Sequence, residues 1–262
     1  MVTAQSRGLV RPKTIFLDTC YIIYLSLFFK LCMTVGLEPT NPSVLNDETL
    51  SKYGIQKKRL EMDRLQDGKK LFNYVVKEAL LGSEIKTSQF CRLEFLHLLL
   101  EKQAHEHLLN AGIPLRLRSH EWSESYLTSL DQTDYSNACD EWEQLKKKLS
   151  HYDVELRVLE EEDSDYWGQV IEAASLVMGS ILMDVPDAIV YAAAVIAEAD
   201  ELVTTDGDFK TTVNCLENPN AEPWVSIAAQ LTQKLIEQNP ALAKAAEKQE
   251  LKLPKAIRLK KR

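Results

Sequence analysis

The chain has 262 residues, of which 45% are hydrophobic and 27% charged, enough apolar material for one large domain core and not the profile of a disordered chain. No short segment recurs at a fixed period, which argues against a solenoid. The formal net charge is −8, yet residues 251–262 hold six Lys/Arg and no acid, leaving 25 basic against 39 acidic residues in the remainder: an acidic body with a basic end. The five cysteines are odd in number and form no C-x-x-C pair, which points to a reduced, cytoplasmic protein, not a disulfide scaffold or zinc finger.

Residues 1–13 read as an N-terminal extension. TIFLD (14–18) is a short apolar strand ending on an acid, and the stretch 21–35 that follows is apolar on nearly all sides, predicting a core helix. Arg7, Arg11 and Lys13 ahead of it imitate a signal peptide. Asp18 interrupts the apolar pattern, however, Lys30 closes it, and the run is shorter than the ~20 residues of a bilayer span. Residues 36–54 are rich in Pro, Asn and Gly and read as a loop or insertion. An amphipathic helical pattern runs from Gln56 to Leu81, and Lys57, Lys58 and Arg59 in its early part are candidates for tracking phosphates.

EIKTS (84–88) is a second short strand, with Ser88 placed to cap the helix after it. Residues 111–137 read as loop, 138–152 as helix, and VELRVLE (154–160) as a third strand. Helices follow over 163–178 and over the Ala-rich 185–199, then a fourth strand, ELVTTD (201–206), again ending on an acid, and a last helix over 224–238. Residues 239–262 read as a basic C-terminal tail. Trp122, Trp142, Trp167 and Trp224 are taken as core residues and not as base-stacking platforms. Strands alternating with helices predict an α/β fold, a parallel sheet covered by helices on both faces.

Functional groups of open parallel sheets gather at the carboxyl ends of the strands. Asp18 and Asp206 end strands, with Asp208 two residues on; Glu94 lies in the second turn of the helix after EIKTS, and Asp187 in the first turn of the helix beginning VPDA. Taken singly, each has a structural explanation: a strand-ending Asp serves as a turn residue, and an acid in a helix's first turn suits the helix dipole. Asp184 is the better cap for that helix. Taken together, four acids on one rim are costly without a cation, since two carboxylates ~4 Å apart repel by roughly 4 kcal/mol at an effective dielectric near 20. A hard divalent ion relieves that repulsion and activates water against a phosphodiester.

The motifs TIFLDTCYIIYL, QFCRLEFLHLL and DVPDAIVYAAAVIAEADELVTTDGDF resemble the PIN domain, most closely the VapC-type ribonuclease toxins of bacterial toxin–antitoxin pairs. The resemblance covers 14–35, 70–100 and 154–210. It implies a PIN-like three-layer α/β/α sandwich over 14–238, with insertions at about 36–70 and 101–150. The implied activity is a Mg²⁺- or Mn²⁺-dependent endoribonuclease acting on RNA, with a small antitoxin protein and a homodimer as the partners the family suggests. Residue by residue it assigns catalytic roles to Asp18, Glu94, Asp187 and Asp206, with Asp18, Asp187 and Asp206 at the metal, and auxiliary roles to Thr204 and Asp208. Cys20 stands where the family carries Asn or Ser, and the chain is about twice the family's usual length. A dehalogenase-like phosphatase needs an acid where Cys20 stands. A glycosyltransferase reading has only Asp206-Gly207-Asp208 in its favour. The remaining alternative is a PIN fold that binds RNA or protein with little catalysis.

Overall fold

The computed structural model describes residues 12–55, 62–112, 130–159, 165–181, 183–207, 224–238, 242–243, 253–257 and 259. Five strands form one parallel sheet in the order β3-β2-β1-β4-β5. They are β1 (Thr14–Leu17), β2 (Glu84–Thr87), β3 (Leu156–Val158), β4 (Glu201–Val203) and β5 (Lys255–Ile257). In β1, the consecutive residues Ile15, Phe16 and Leu17 are all fully buried. Successive side chains point to opposite faces of a strand, so both faces of the sheet are covered, as expected for a parallel sheet with helices on either side.

The main helices are α1 (Thr19–Val35), α2 (Asp47–Lys52), α3 (Met62–Leu80), α4 (Gln89–Asn110), α5 (Gln132–Ser150), α6 (Tyr166–Ile181), α7 (Val185–Ile196) and α8 (Trp224–Gln238). The N-terminal apolar run is α1, the core helix the sequence predicts, with Tyr21, Ile22, Phe28 and Val35 fully buried. It stops at Gly36, whose φ of +62° is the left-handed value glycine adopts without strain, with Gly36 N–H turned back to the helix carbonyls. Among the described residues no single helix is long and apolar enough to cross a membrane.

Three expectations are adjusted. The second half of the 36–70 insertion belongs to the core: α3 lies against α1 so closely that a Cβ on Gly68 would stand 2.1 Å from the Tyr24 carbonyl oxygen. Helix α5 starts six residues before the expected 138, because Asp131 and Asp134 form a capping box at its N-terminus. Third, the stretch read as a basic tail contains β5, which pairs with β4 from Glu201↔Lys255 to Val203↔Ile257. Ala256 is buried, and Leu259 N–H donates to the buried Tyr21 hydroxyl at 3.0 Å. The charge count hid a short alternating strand, whose exposed lysine is what a sheet edge commonly carries. Of the tryptophans, Trp142 is fully buried as expected, whereas Trp167 is 40% exposed; the side chains of Trp122 and Trp224 lie outside the described residues.

Candidate functional site

The strand order places β2 and β3 on one side of β1 and β4 and β5 on the other. The connection direction therefore reverses between β1 and β4, and in open α/β sheets the crevice at the carboxyl ends of such a pair is where ligands bind. Asp18 leaves β1 at that point, and its N–H donates to Val203 O of β4 at 3.1 Å. Thr204, the residue after β4, is 1% exposed. Its hydroxyl donates to Asp18 Oδ2 at 2.7 Å and accepts from Asp206 N–H at 3.0 Å. One hydroxyl thus ties both strand-ending acids together, a double role a methyl group could not fill.

Glu94 reaches the same edge from α4. Ser88 starts that helix, accepting from Cys91 N–H at 3.2 Å, as the sequence predicts. One and a half turns on, Glu94 Oε2 accepts from the Thr19 hydroxyl at 2.6 Å. Thr19 is the first residue of α1, so the bond links Glu94 to the β1–α1 junction. The sequence reading missed Thr19; its signal was a hydroxyl directly after a strand-ending acid. Asp187 arrives on α7. Asp184 caps that helix, accepting from Asp187 N–H at 3.0 Å, so the cap falls where the sequence put it and the Asp187 carboxylate is left over. Arg92, a potential partner for Glu94 in the sequence, instead lies over the Trp142 ring and 3.9 Å from Glu143.

The charges of these groups act on one another. Burial raises the Asp18 carboxyl above its usual range and the Asp206 charge adds to this, while hydrogen bonds from Thr204, the Thr19 N–H and Cys20 oppose it. Glu94 is raised by burial, against the Thr19 hydrogen bond, and by the charges of Asp18 and Asp184. Asp187 is pushed up to about 7, first by burial and then by Asp184, Asp206, Asp18 and Glu94 together. Burial and the Asp18 charge push the Cys20 thiol up to about 12; it is a neutral hydrogen-bond donor beside Asp18 and not a nucleophile at neutral pH. No lysine or arginine ion-pairs with Asp18, Glu94 or Asp187 among the described residues.

Asp18, Glu94, Thr204, Asp187 and Asp206 are therefore brought to one rim. Asp208, Lys57, Lys58 and Arg59 lie outside the described residues. Among the described residues, no three His, Cys, Asp or Glu side chains approach closely enough to cage a metal ion. The donors are nevertheless all hard oxygens of side chains on one rim. That set fits a cation carried by one or two carboxylates with water completing the shell, the habit of Mg²⁺, and not an all-protein cage. Comparison with protein-family models, with curated proteins and with solved structures finds no match for this chain.

Proposed function

We propose that the protein is a divalent-metal-dependent endoribonuclease, hydrolysing RNA phosphodiester bonds at the crevice between β1 and β4. The observation that carries the reading is the convergence of Asp18, Glu94, Asp187 and Asp206 at the sheet's switch point, close enough that Asp187 responds to the charges of the other three. The resemblance of the three sequence motifs to the PIN domain supports the same chemistry. A bound Mg²⁺ or Mn²⁺ would supply charge neutralisation at the phosphate and a more acidic water.

The chain's own groups have distinct tasks in this reading. Asp18 and Asp206, joined through Thr204, are oriented by β1 and β4 and form the fixed pole of the site. Asp187, free of any capping duty, and Glu94, held by Thr19, face that pole from α7 and α4. Hydrolysis requires water oxygen to bond to phosphorus as the bond from phosphorus to the leaving ribose oxygen breaks. The water's proton passes to a rim carboxylate and a proton is returned to the leaving oxygen. In-line attack needs a backbone free to turn, which favours single-stranded RNA.

The test is cleavage of a mixed single-stranded RNA pool by protein free of host nuclease. The expected result is cutting that requires Mn²⁺ or Mg²⁺, stops with a chelator and is lost in Asp18→Asn. Full activity of Asp18→Asn sinks the proposal. A second reading, a fold of this kind that binds RNA or protein without cutting, draws on the lack of a three-ligand metal cage among the described residues; RNA retained intact by the unmodified protein with Mn²⁺ present would favour it.

A further inference from the structure

The far end of α1 carries a second concave site, unconnected with the acids. Seventeen residues of helix, at 1.5 Å each, set it ~25 Å from Asp18. There α1 and α5 leave a cleft of about 810 Å³, within the range of small-molecule pockets. Phe29, Cys32, Met33 and Leu37 give it an apolar lining, with Tyr152 and Lys148 on the α5 side. Next to it Glu141 bridges the two helices, accepting from Ser26 at 2.8 Å and from Lys30 at 2.6 Å, which bounds the space and suits a compact occupant better than a through-running peptide.

Lys148 is the group out of place. Its Nζ lies 2.8 Å from Met33 Sδ and 5.8 Å from the Phe29 ring centroid, and no carboxylate pairs with it among the described residues. The nearby acids are engaged: Glu141 with Lys30, and Glu38 with the Tyr152 hydroxyl. Burial and the neighbouring Lys30 charge hold the Lys148 ammonium below its ordinary pKa, against the attraction of the more distant Glu141. A thioether and a phenyl face are weak replacements for water or a carboxylate, so a half-buried ammonium stands over an apolar lining without its complement.

We infer that this cleft binds a small amphipathic anion, its acidic head on Lys148 Nζ and its apolar body along Phe29, Met33 and Leu37. Charge complementarity selects the head, and the lining selects the body.

Calorimetric titration of the full chain with decanoate tests this, with acetate and 1-decanol as head-only and body-only probes. Decanoate is expected to bind saturably and more tightly than either. Lys148→Met, which keeps an apolar side chain and removes the charge, should weaken decanoate roughly tenfold or more without changing the response to 1-decanol. A second variant guards against misfolding of the first. Met33 is 62% exposed, so Met33→Glu should fold, give Lys148 an internal carboxylate and abolish decanoate binding with no loss of melting temperature. Decanol binding as tightly as decanoate, unchanged affinity in both variants, or no saturable binding up to about 1 mM would each overturn the inference.

Discussion

Replacing Asp187 by Asn isolates the repulsion stored at the acid rim. In the metal-free protein the Asp187 carboxyl has a pKa of about 7, against 3.8 for the free side chain. The folded state thus holds a proton that the unfolded chain releases at lower pH. Between about pH 4 and 7 the native protein binds more protons than the unfolded one, so stability falls as pH rises through this window. The full penalty is present above pH 7 and absent below pH 4. At about 1.36 kcal/mol per pKa unit the shift corresponds to roughly 4 kcal/mol. The group is only half-buried and solvent screens its neighbours, so ~1–2 kcal/mol is the reasonable expectation. Asp187→Asn should therefore be more stable than the parent by that amount at pH 8 and about equal at pH 4, measured by urea denaturation in chelator. It should also gain less from Mn²⁺, because a cation adds stability only through the groups it contacts in the native state. A contrary helix-dipole argument predicts a loss of roughly 0.3–1 kcal/mol at pH 8 for removing a first-turn negative charge. If the Asp187→Asn variant is less stable at pH 8 and gains as much from Mn²⁺ as the parent, Asp187 serves the helix and the reasoning fails.

Thr204→Val should cost about 1–3 kcal/mol in denaturant melts, since it leaves Asp18 and the Asp206 N–H short of a buried partner, and should lower any nuclease activity; unchanged stability would remove Thr204 from the site. Gly68→Ala should destabilise by at least about 1–3 kcal/mol, although alanine is the better helix former by ~1 kcal/mol, because the new Cβ meets the Tyr24 carbonyl; a stabilised variant would show that α1 and α3 separate easily. Removing residues 253–262 should lower the melting temperature by several degrees and not merely trim a solvated end, because β5 and the Tyr21 hydrogen bond go with it; an unchanged melt would mean the edge strand contributes nothing. For RNA binding, the same truncation should flatten the salt dependence if the terminal lysines and arginines contact phosphates, and a filter-binding series at several salt concentrations measures this.

How far the fold was legible depended on how local its cause was. Strands β1 to β4 announced themselves as short stretches between helical patterns; β1 is continuously apolar over Ile15–Leu17, as a strand buried on both faces tends to be, whereas β2, β3 and β4 carry Glu84 and Lys86, Arg157, and Glu201 among their apolar residues. Asp184 was recognisable as a cap from its place before Val185-Pro186, and Ser88 likewise from the helix after it. What the sequence hid were pairings between distant segments. Lys255, Ala256 and Ile257 become a strand only because β4 offers a free edge, and nothing in six scattered basic residues reveals that edge. Gly68 lies where two helix backbones nearly touch, a contact between distant segments. At the site, acids at strand ends were visible as a pattern. The hydroxyls that orient them were less so: Thr204 came from the motif resemblance, while the bond from Thr19 to Glu94 joins residues 75 positions apart.

The last strand supports the acids through β4. A carboxylate largely withdrawn from water needs donors around it, and Asp18 has three: the Thr204 hydroxyl, the Thr19 N–H and the Cys20 thiol. Two of these come from the chain directly after Asp18 and are fixed by α1. The third depends on the loop leaving β4, and that loop is anchored from outside, since Thr204 N–H donates to Ile257 O of β5 at 3.1 Å. Without β5 the Thr204 backbone would lie on a sheet edge, where its hydroxyl could turn to water and release Asp18 and Asp206 together. The edge strand is thus the outer support of the hydroxyl that joins the two strand-ending acids, and Asp18 and Glu94 each receive hydrogen bonds from neutral donors on strands and helices.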